Sequence, residues 1–259
     1  MIKFRLSCLM ILSSLLFANS EIWSDGTARL LPQGRLEMGF FQPLRYGFSG
    51  TMEISTYKLS TFLMPNLNLK IARNNRLGWR VATRHGLVYP TPMLRWLQSP
   101  LGMELGEPDK FALISPEFHI PQMISISNEI LFTRKIANEM ELTLKGGFSL
   151  SLGDKLVRRA SIDLPLIFPR MSVYFNRALF RIGADISKSL KRRWSYLIDY
   201  DLFLLPGGHE DFAFEHKTLL KWTKNETFQL QLGYKLTAGR YPFGTQAHLL
   251  PLVDLVWAR

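Results

Sequence analysis

Residues 139–152 read Glu139-Met140-Glu141-Leu142-Thr143-Leu144-Lys145-Gly146-Gly147-Phe148-Ser149-Leu150-Ser151-Leu152. Met140, Leu142, Leu144, Gly146, Phe148, Leu150 and Leu152 share one parity. Glu139, Glu141, Thr143, Lys145, Gly147, Ser149 and Ser151 hold the other. Side chains alternate between the two faces of a strand, whereas a helix repeats every 3.6 residues, so this stretch is a strand with one apolar and one polar face. The same alternation returns in 227–237, where Phe228, Leu230, Leu232, Tyr234 and Leu236 are apolar, and in 195–204, where Tyr196, Ile198, Tyr200, Leu202 and Leu204 are.

Working outward, weaker alternation marks 35–41, 51–57, 66–72, 78–87, 124–133, 162–176, 178–187, 212–222 and 248–258. The array is about twelve strands, joined by turn residues such as Asn74-Asn75, Pro206-Gly207-Gly208 and Lys224-Asn225-Glu226. Phe168-Pro169 shifts the phase within 162–176, which reads as a bulge. Residues 88–121 form the one long interruption, holding six of the 14 prolines, with a short helix expected around 93–98. No linker divides the array.

The chain has 259 residues, 47% of them hydrophobic, with 12% aromatics and 20% charged residues. That is too apolar for disorder. Residues 1–20 have a basic start (Lys3, Arg5), an apolar stretch and small residues before Ser20, the three regions of a signal peptide. Cleavage near Ser20 leaves a Cys-free chain, residues 21–259, that must be stable without disulfides. No apolar run long enough for a membrane helix follows.

Alternation suits a soluble all-β protein with an apolar interior. It equally suits a transmembrane barrel with an apolar exterior. Segment lengths near those needed to cross a bilayer favour the barrel, as do the even strand count and the aromatics near segment ends (Trp79, Tyr174, Phe175, Trp194, Phe212, Trp222, Tyr234, Trp257). Against it, 88–121 follows the fourth counted strand, which places the longest loop on the side where short turns are expected.

Residues 26–47, GTARLLPQGRLEMGFFQPLRYG, followed by Met52-Glu53-Ile54-Ser55-Thr56 and Met64-Pro65-Asn66-Leu67-Asn68-Leu69-Lys70, resemble the opening of a group of uncharacterised outer-membrane β-barrel proteins of Gram-negative bacteria. The resemblance implies an outer-membrane barrel and carries no activity. The expectation is one all-β domain: a single transmembrane up-and-down antiparallel barrel of about twelve strands, in which 88–121 is a plug or lid.

The polar parity would then line the lumen. Its candidate charges are Arg35, Glu37, Glu53, Lys70, Arg80, Arg84, Glu139, Glu141, Lys145, Arg181, Asp185, Asp199, Asp201, Glu215, Lys217, Lys221, Lys235 and Asp254, with Glu129, Asp163 and Arg170 beside them. The signs nearly balance, so the bore reads as a salt-bridge network or a mixed-charge channel. Removal of Lys3 and Arg5 with the signal segment lowers the net charge from +11 to +9, and that excess belongs to the rims, at residues such as Arg73, Arg76, Arg134, Lys135 and Arg193. Expected partners are outer-membrane lipid and small solutes, and not nucleic acid.

No HExxH, GxSxG or phosphate-loop motif occurs among the five histidines and their neighbours. His209-Glu210-Asp211 reads as a solvated turn, and Asp199 with Asp201 as salt-bridging carboxylates. The expectation is therefore no enzyme and no cofactor or metal: a narrow pore or a structural membrane protein. A soluble periplasmic protein binding an apolar ligand is the alternative. A membrane-embedded hydrolase with an unrecognised site is a third class.

Overall fold

A computed structural model describes residues 23–24, 26–58, 61–99, 114, 118–137, 139–155, 164–190, 193–207 and 211–259. The signal segment, Asp163, His209 and Glu210 lie outside the described residues.

Twelve antiparallel strands close on themselves, each paired with its sequence neighbours. They are β1 Leu36–Gly39, β2 Leu44–Ser49, β3 Met52–Thr56, β4 Asn66–Arg76, β5 Trp79–Val88, β6 Met123–Ala137, β7 Met140–Gly153, β8 Ala178–Ser189, β9 Trp194–Leu204, β10 Phe212–Asn225, β11 Phe228–Tyr241 and β12 Gly244–Ala258. Pairing of Glu37 with Ala258 and Gly39 with Val256 closes the circle. Closure removes the exposed edges that an open sheet would leave.

The total of twelve conceals two corrections that cancel. Leu44–Ser49 is a strand that the sequence reading passed over, a short alternation of outward Leu44, Tyr46 and Phe48 behind Pro43. The described part of 162–176, residues 164–176, is not a bulged strand: Phe168–Asn176 is the helix α2, and α1 is Thr91–Gln98. Pro169 sits in the first turn of α2, where a missing N–H costs nothing. Arg177, at φ +69°, ends the helix. Nearly every side of α2 is buried. A helix packed on all sides accepts apolar residues at any phase, so alternation there had no diagnostic value.

With β2 restored, 88–121 follows β5, an odd strand, and the side conflict disappears. The start of β1, the end of β12 and the short connections β2–β3, β4–β5, β6–β7, β8–β9 and β10–β11 lie at one end, here the terminus end. The connections at 40–43, 57–65, 89–122, 154–177, 205–211 and 242–243 lie at the other, the loop end. Short turns on one side and long loops on the other are the asymmetry of outer-membrane barrels.

The polar parity faces inward. On β7, Glu141, Thr143 and Lys145 are buried while Leu144, Phe148 and Leu150 are exposed outward. Tyr174 and Phe175, counted in the sequence among the end aromatics, lie instead on α2 inside the barrel.

A filled bore as the candidate functional site

The inward charges form connected groups. In the largest, Arg84 on β5 meets Glu129 on β6 at 3.0 Å, and Glu129 meets Arg181 on β8 at 3.4 Å. Arg181 meets Asp201 on β9 at 3.1 Å. Lys145 then binds Asp185, Asp199 and Asp201 at 2.6, 2.6 and 2.9 Å, and Asp199 reaches Lys217 on β10 at 3.0 Å. Each acid thus meets a cation, as a low-dielectric interior requires. Gly183 makes room for this cluster, because a Cβ there would lie 2.3 Å from Asp201 Oδ1. The side chains of Arg84, Arg181 and Lys217 remain 27–29% exposed, so the middle of the network is less tightly packed than its ends.

A second group runs along β1–β4. Glu37 binds both Arg35 and Arg45, and Glu53 binds Lys70 at 3.2 Å. A third joins Glu215 on β10 to Lys235 on β11 at 2.6 Å and to Arg170 on α2, whose two terminal nitrogens donate to both carboxylate oxygens at 2.6 and 2.8 Å. Arg170 therefore enters the bore from a helix, not from a bulged strand. The carboxylate of Asp254 accepts the N–H groups of Phe40, Phe41 and Gln42 at 2.6, 3.2 and 3.0 Å, which folds the 40–43 loop inward.

Four candidates stand outside these three groups. Glu139 is in the turn between β6 and β7, exposed and at φ +63°. Arg80 is exposed at the terminus-end mouth, lining a hollow of about 540 Å³ with Arg29 and Leu31. Glu141 is buried inward and pairs with Arg29, ahead of β1. Lys221 is buried on β10.

The sequence reading treated residues 26–34 only as part of a family resemblance and gave Trp23 and Ser24 no role. They cross the terminus half of the bore. The Ala28 N–H donates to Thr133 Oγ1 on β6 at 2.8 Å, and Lys70 Nζ donates to the Thr27 carbonyl at 3.3 Å. Ser24 accepts from Arg45 at 3.2 Å. Gly26 comes so close to the central cluster that a Cβ on it would lie 3.1 Å from Asp185 Oδ2. Small residues (Ser24, Gly26, Thr27, Ala28) are the available signal: only they leave space for chain inside an occupied bore.

The loop half is filled differently. Leu94 of α1 and Phe168, Met171, Val173, Tyr174 and Phe175 of α2 form one apolar cluster with inward Met123, Leu179, Phe203, Ala213 and Tyr241 of the wall. Polar contacts fix it: Tyr174 Oη donates to Ser125 Oγ at 2.7 Å, and Tyr241 Oη to the Pro165 carbonyl at 2.9 Å. Among the described residues no group of metal-ligating side chains is assembled.

No protein-family model and no curated protein sequence matches the chain. Among solved structures it is similar to the outer membrane channel DcaP of Acinetobacter baumannii, at 10% identity over 83% of this chain and 61% of that one, with a TM-score of 0.38. It is similar to OprD of Pseudomonas aeruginosa at 9% identity, over 90% and 62%, with a TM-score of 0.40. LpxR from Salmonella typhimurium aligns at 7% identity over 86% and 88%, with a TM-score of 0.41. The chain spans about three fifths of the length of DcaP and OprD. The class rests on the barrel's own register: a closed, twelve-stranded antiparallel barrel with a polar, occupied interior.

Proposed function

We propose that the chain is an outer-membrane barrel that spans the bilayer and is closed at rest, a structural membrane protein or narrow gated passage rather than an open porin. The observation that carries the membrane reading is the outer surface. Leu67, Leu87, Ile130, Leu144, Phe148, Leu150, Ile182, Tyr200, Leu204, Leu220, Leu232, Val253 and Leu255 are all exposed there. So extensive an apolar belt exceeds what a soluble monomer presents to water. Trp79 and Trp194 open β5 and β9, and Trp222 and Trp257 stand near the ends of β10 and β12, so all four gather outward at the terminus end. They form an interfacial girdle. From Phe212 to Trp222 the outward face of β10 covers roughly 33 Å of strand. Tilted about 40°, that is roughly 25 Å of height, an outer-membrane apolar band.

Closure is supported by the two fillings, residues 23–34 from one end and α1 with α2 from the other. The apolar-ligand alternative needs the apolar parity inside, and that parity faces outward. Membrane insertion is tested by fractionation. The protein should stay in membranes through alkaline carbonate, need detergent for release, and migrate faster on gels unheated than boiled. Release by carbonate alone in a folded state contradicts it.

A further inference from the structure

The apolar belt is interrupted on β4–β6 by a hydrogen-bonded polar chain. His85 Nδ1 lies 2.7 Å from Asn128 Oδ1 on β6, and His85 Nε2 lies 3.1 Å from Thr83 Oγ1. Arg73 Nε of β4 donates to the same Thr83 Oγ1 at 3.1 Å. All four are on the outward parity: their inward neighbours Arg84 and Glu129 are paired in the lumen. Polar groups facing hydrocarbon are costly, and here they converge on one hydroxyl.

With Asn128 Oδ1 accepting from Nδ1, the proton sits on Nδ1 and Nε2 is left as a base. Thr83 Oγ1 accepts from Arg73 and gives its own proton to Nε2. A hydroxyl, an imidazole base and a side-chain amide that orients the base make up the working parts of nucleophilic acyl transfer. Arg73 adds a fixed positive charge beside the oxygen that attacks. The other outward histidine is an internal contrast: His216 Nε2 also has a Thr two residues away, Thr218 at 3.1 Å, but its Nδ1 has no hydrogen-bond partner to orient it.

We infer that Thr83, His85 and Asn128 form a lipid-facing acyl-ester hydrolase site, and that its substrate is an ester-linked lipid with an anionic phosphate headgroup. The headgroup assignment rests on Arg73 and Arg134 on the headgroup side, Arg134 lying 5.9 Å from the Trp79 ring. A phosphate on Arg73 brings the ester a few bonds away onto Thr83. Thr83 Oγ attacks the ester carbonyl as its proton passes to His85 Nε2. The C–O bond of the ester breaks, and His85 returns the proton to the leaving alcohol, giving a lysolipid. Water, deprotonated by His85, then attacks the acyl-threonine ester and releases a fatty acid, and Thr83 regains its proton. Nothing is oxidised or reduced.

This inference rests on the lipid-facing reading of the outer surface, and the two are separable. The full chain in detergent is given phosphatidylglycerol in mixed micelles, and p-nitrophenyl butyrate as a soluble ester. Fatty-acid release is followed by mass spectrometry. Thr83→Ala and His85→Gln should each lower release about a hundredfold or more. Asn128→Ala should lower it less, Thr83→Ser should retain it, and His216→Gln should leave it unchanged. A fluorophosphonate probe should label Thr83 in the wild type and not in His85→Gln. Heat-modifiable migration reports that each variant is folded. Hydrolysis of the soluble ester by a barrel that fails to associate with lipid keeps the site and removes the membrane reading. Absence of both release and labelling from folded wild type overturns the site, as does equal release from Thr83→Ala.

Discussion

The Leu31 N–H donates to the Glu53 carboxylate at 3.0 Å, so the segment before the first strand is hydrogen-bonded to the inner wall of the barrel it precedes. The same carboxylate oxygen takes Lys70 at 3.2 Å. The inward charges therefore do two things at once. They neutralise one another, and they bind the chain that blocks the bore.

Gly47 is where wall and segment touch. A Cβ there would lie 2.0 Å from the Pro32 carbonyl oxygen, and the Gly34 N–H donates to the Gly47 carbonyl at 2.8 Å. Gly47→Val should expel residues 23–34 from the bore without unmaking β2, whose pairing uses backbone groups. Limited proteolysis should cut that segment in the variant and spare it in the wild type. A segment that stays protected in Gly47→Val contradicts the contact.

Gln231 and Leu232 are neighbours with opposite surroundings. Leu232 is 38% exposed toward the lipid side, and Gln231 is 1% exposed, within hydrogen-bonding distance of Gln229 at 2.7 Å and Gln42 at 3.0 Å. Leu232→Arg should cost about 2–4 kcal/mol by placing a charge in hydrocarbon. A water-filled lumen would make Gln231→Arg mild. The packed interior instead predicts a loss of about 1–3 kcal/mol from overpacking. Urea unfolding in lipid vesicles measures both, and an unaffected Gln231→Arg barrel would contradict the filled bore.

Lys145 holds three carboxylates on two strands. Lys145→Met should leave Asp185, Asp199 and Asp201 short of a cation and cost about 3–5 kcal/mol. A second substitution, Asp185→Asn, should recover part of that loss. Additive losses in the double variant, measured by the same unfolding experiment, would show the three acids are not held by Lys145.

What the sequence disclosed follows from which surfaces repeat. The long strands β6–β12 each present one face to the belt and one to the bore, so period two is written plainly at Met140–Gly153 and Phe228–Tyr241. β2, six residues behind Pro43 with glycines at 47 and 50 that read as turn chemistry, was passed over although the shorter β1 and β3 were read. α2 was misread because burial on every side erases phase. Residues 23–34 were silent because they form no strand or helix, and their role depends on what surrounds them. The Thr83–His85–Asn128 arrangement joins residues 43 positions apart through strand pairing, a distance no local motif spans. The sequence expectation of a non-enzyme drew on local motifs and on clusters of residues adjacent in sequence.

Single-channel recording in planar bilayers tests the closed-barrel account most directly. The intact, heat-modifiable protein should give no stable openings, because residues 23–34 block one half of the bore and α1 with α2 the other. Deleting 90–116 alone leaves two of those three fillings and should not open it. Removing residues 23–32 together with α2 should produce steady conductance from a barrel that still migrates as folded. Large, stable openings from the intact chain would contradict the account.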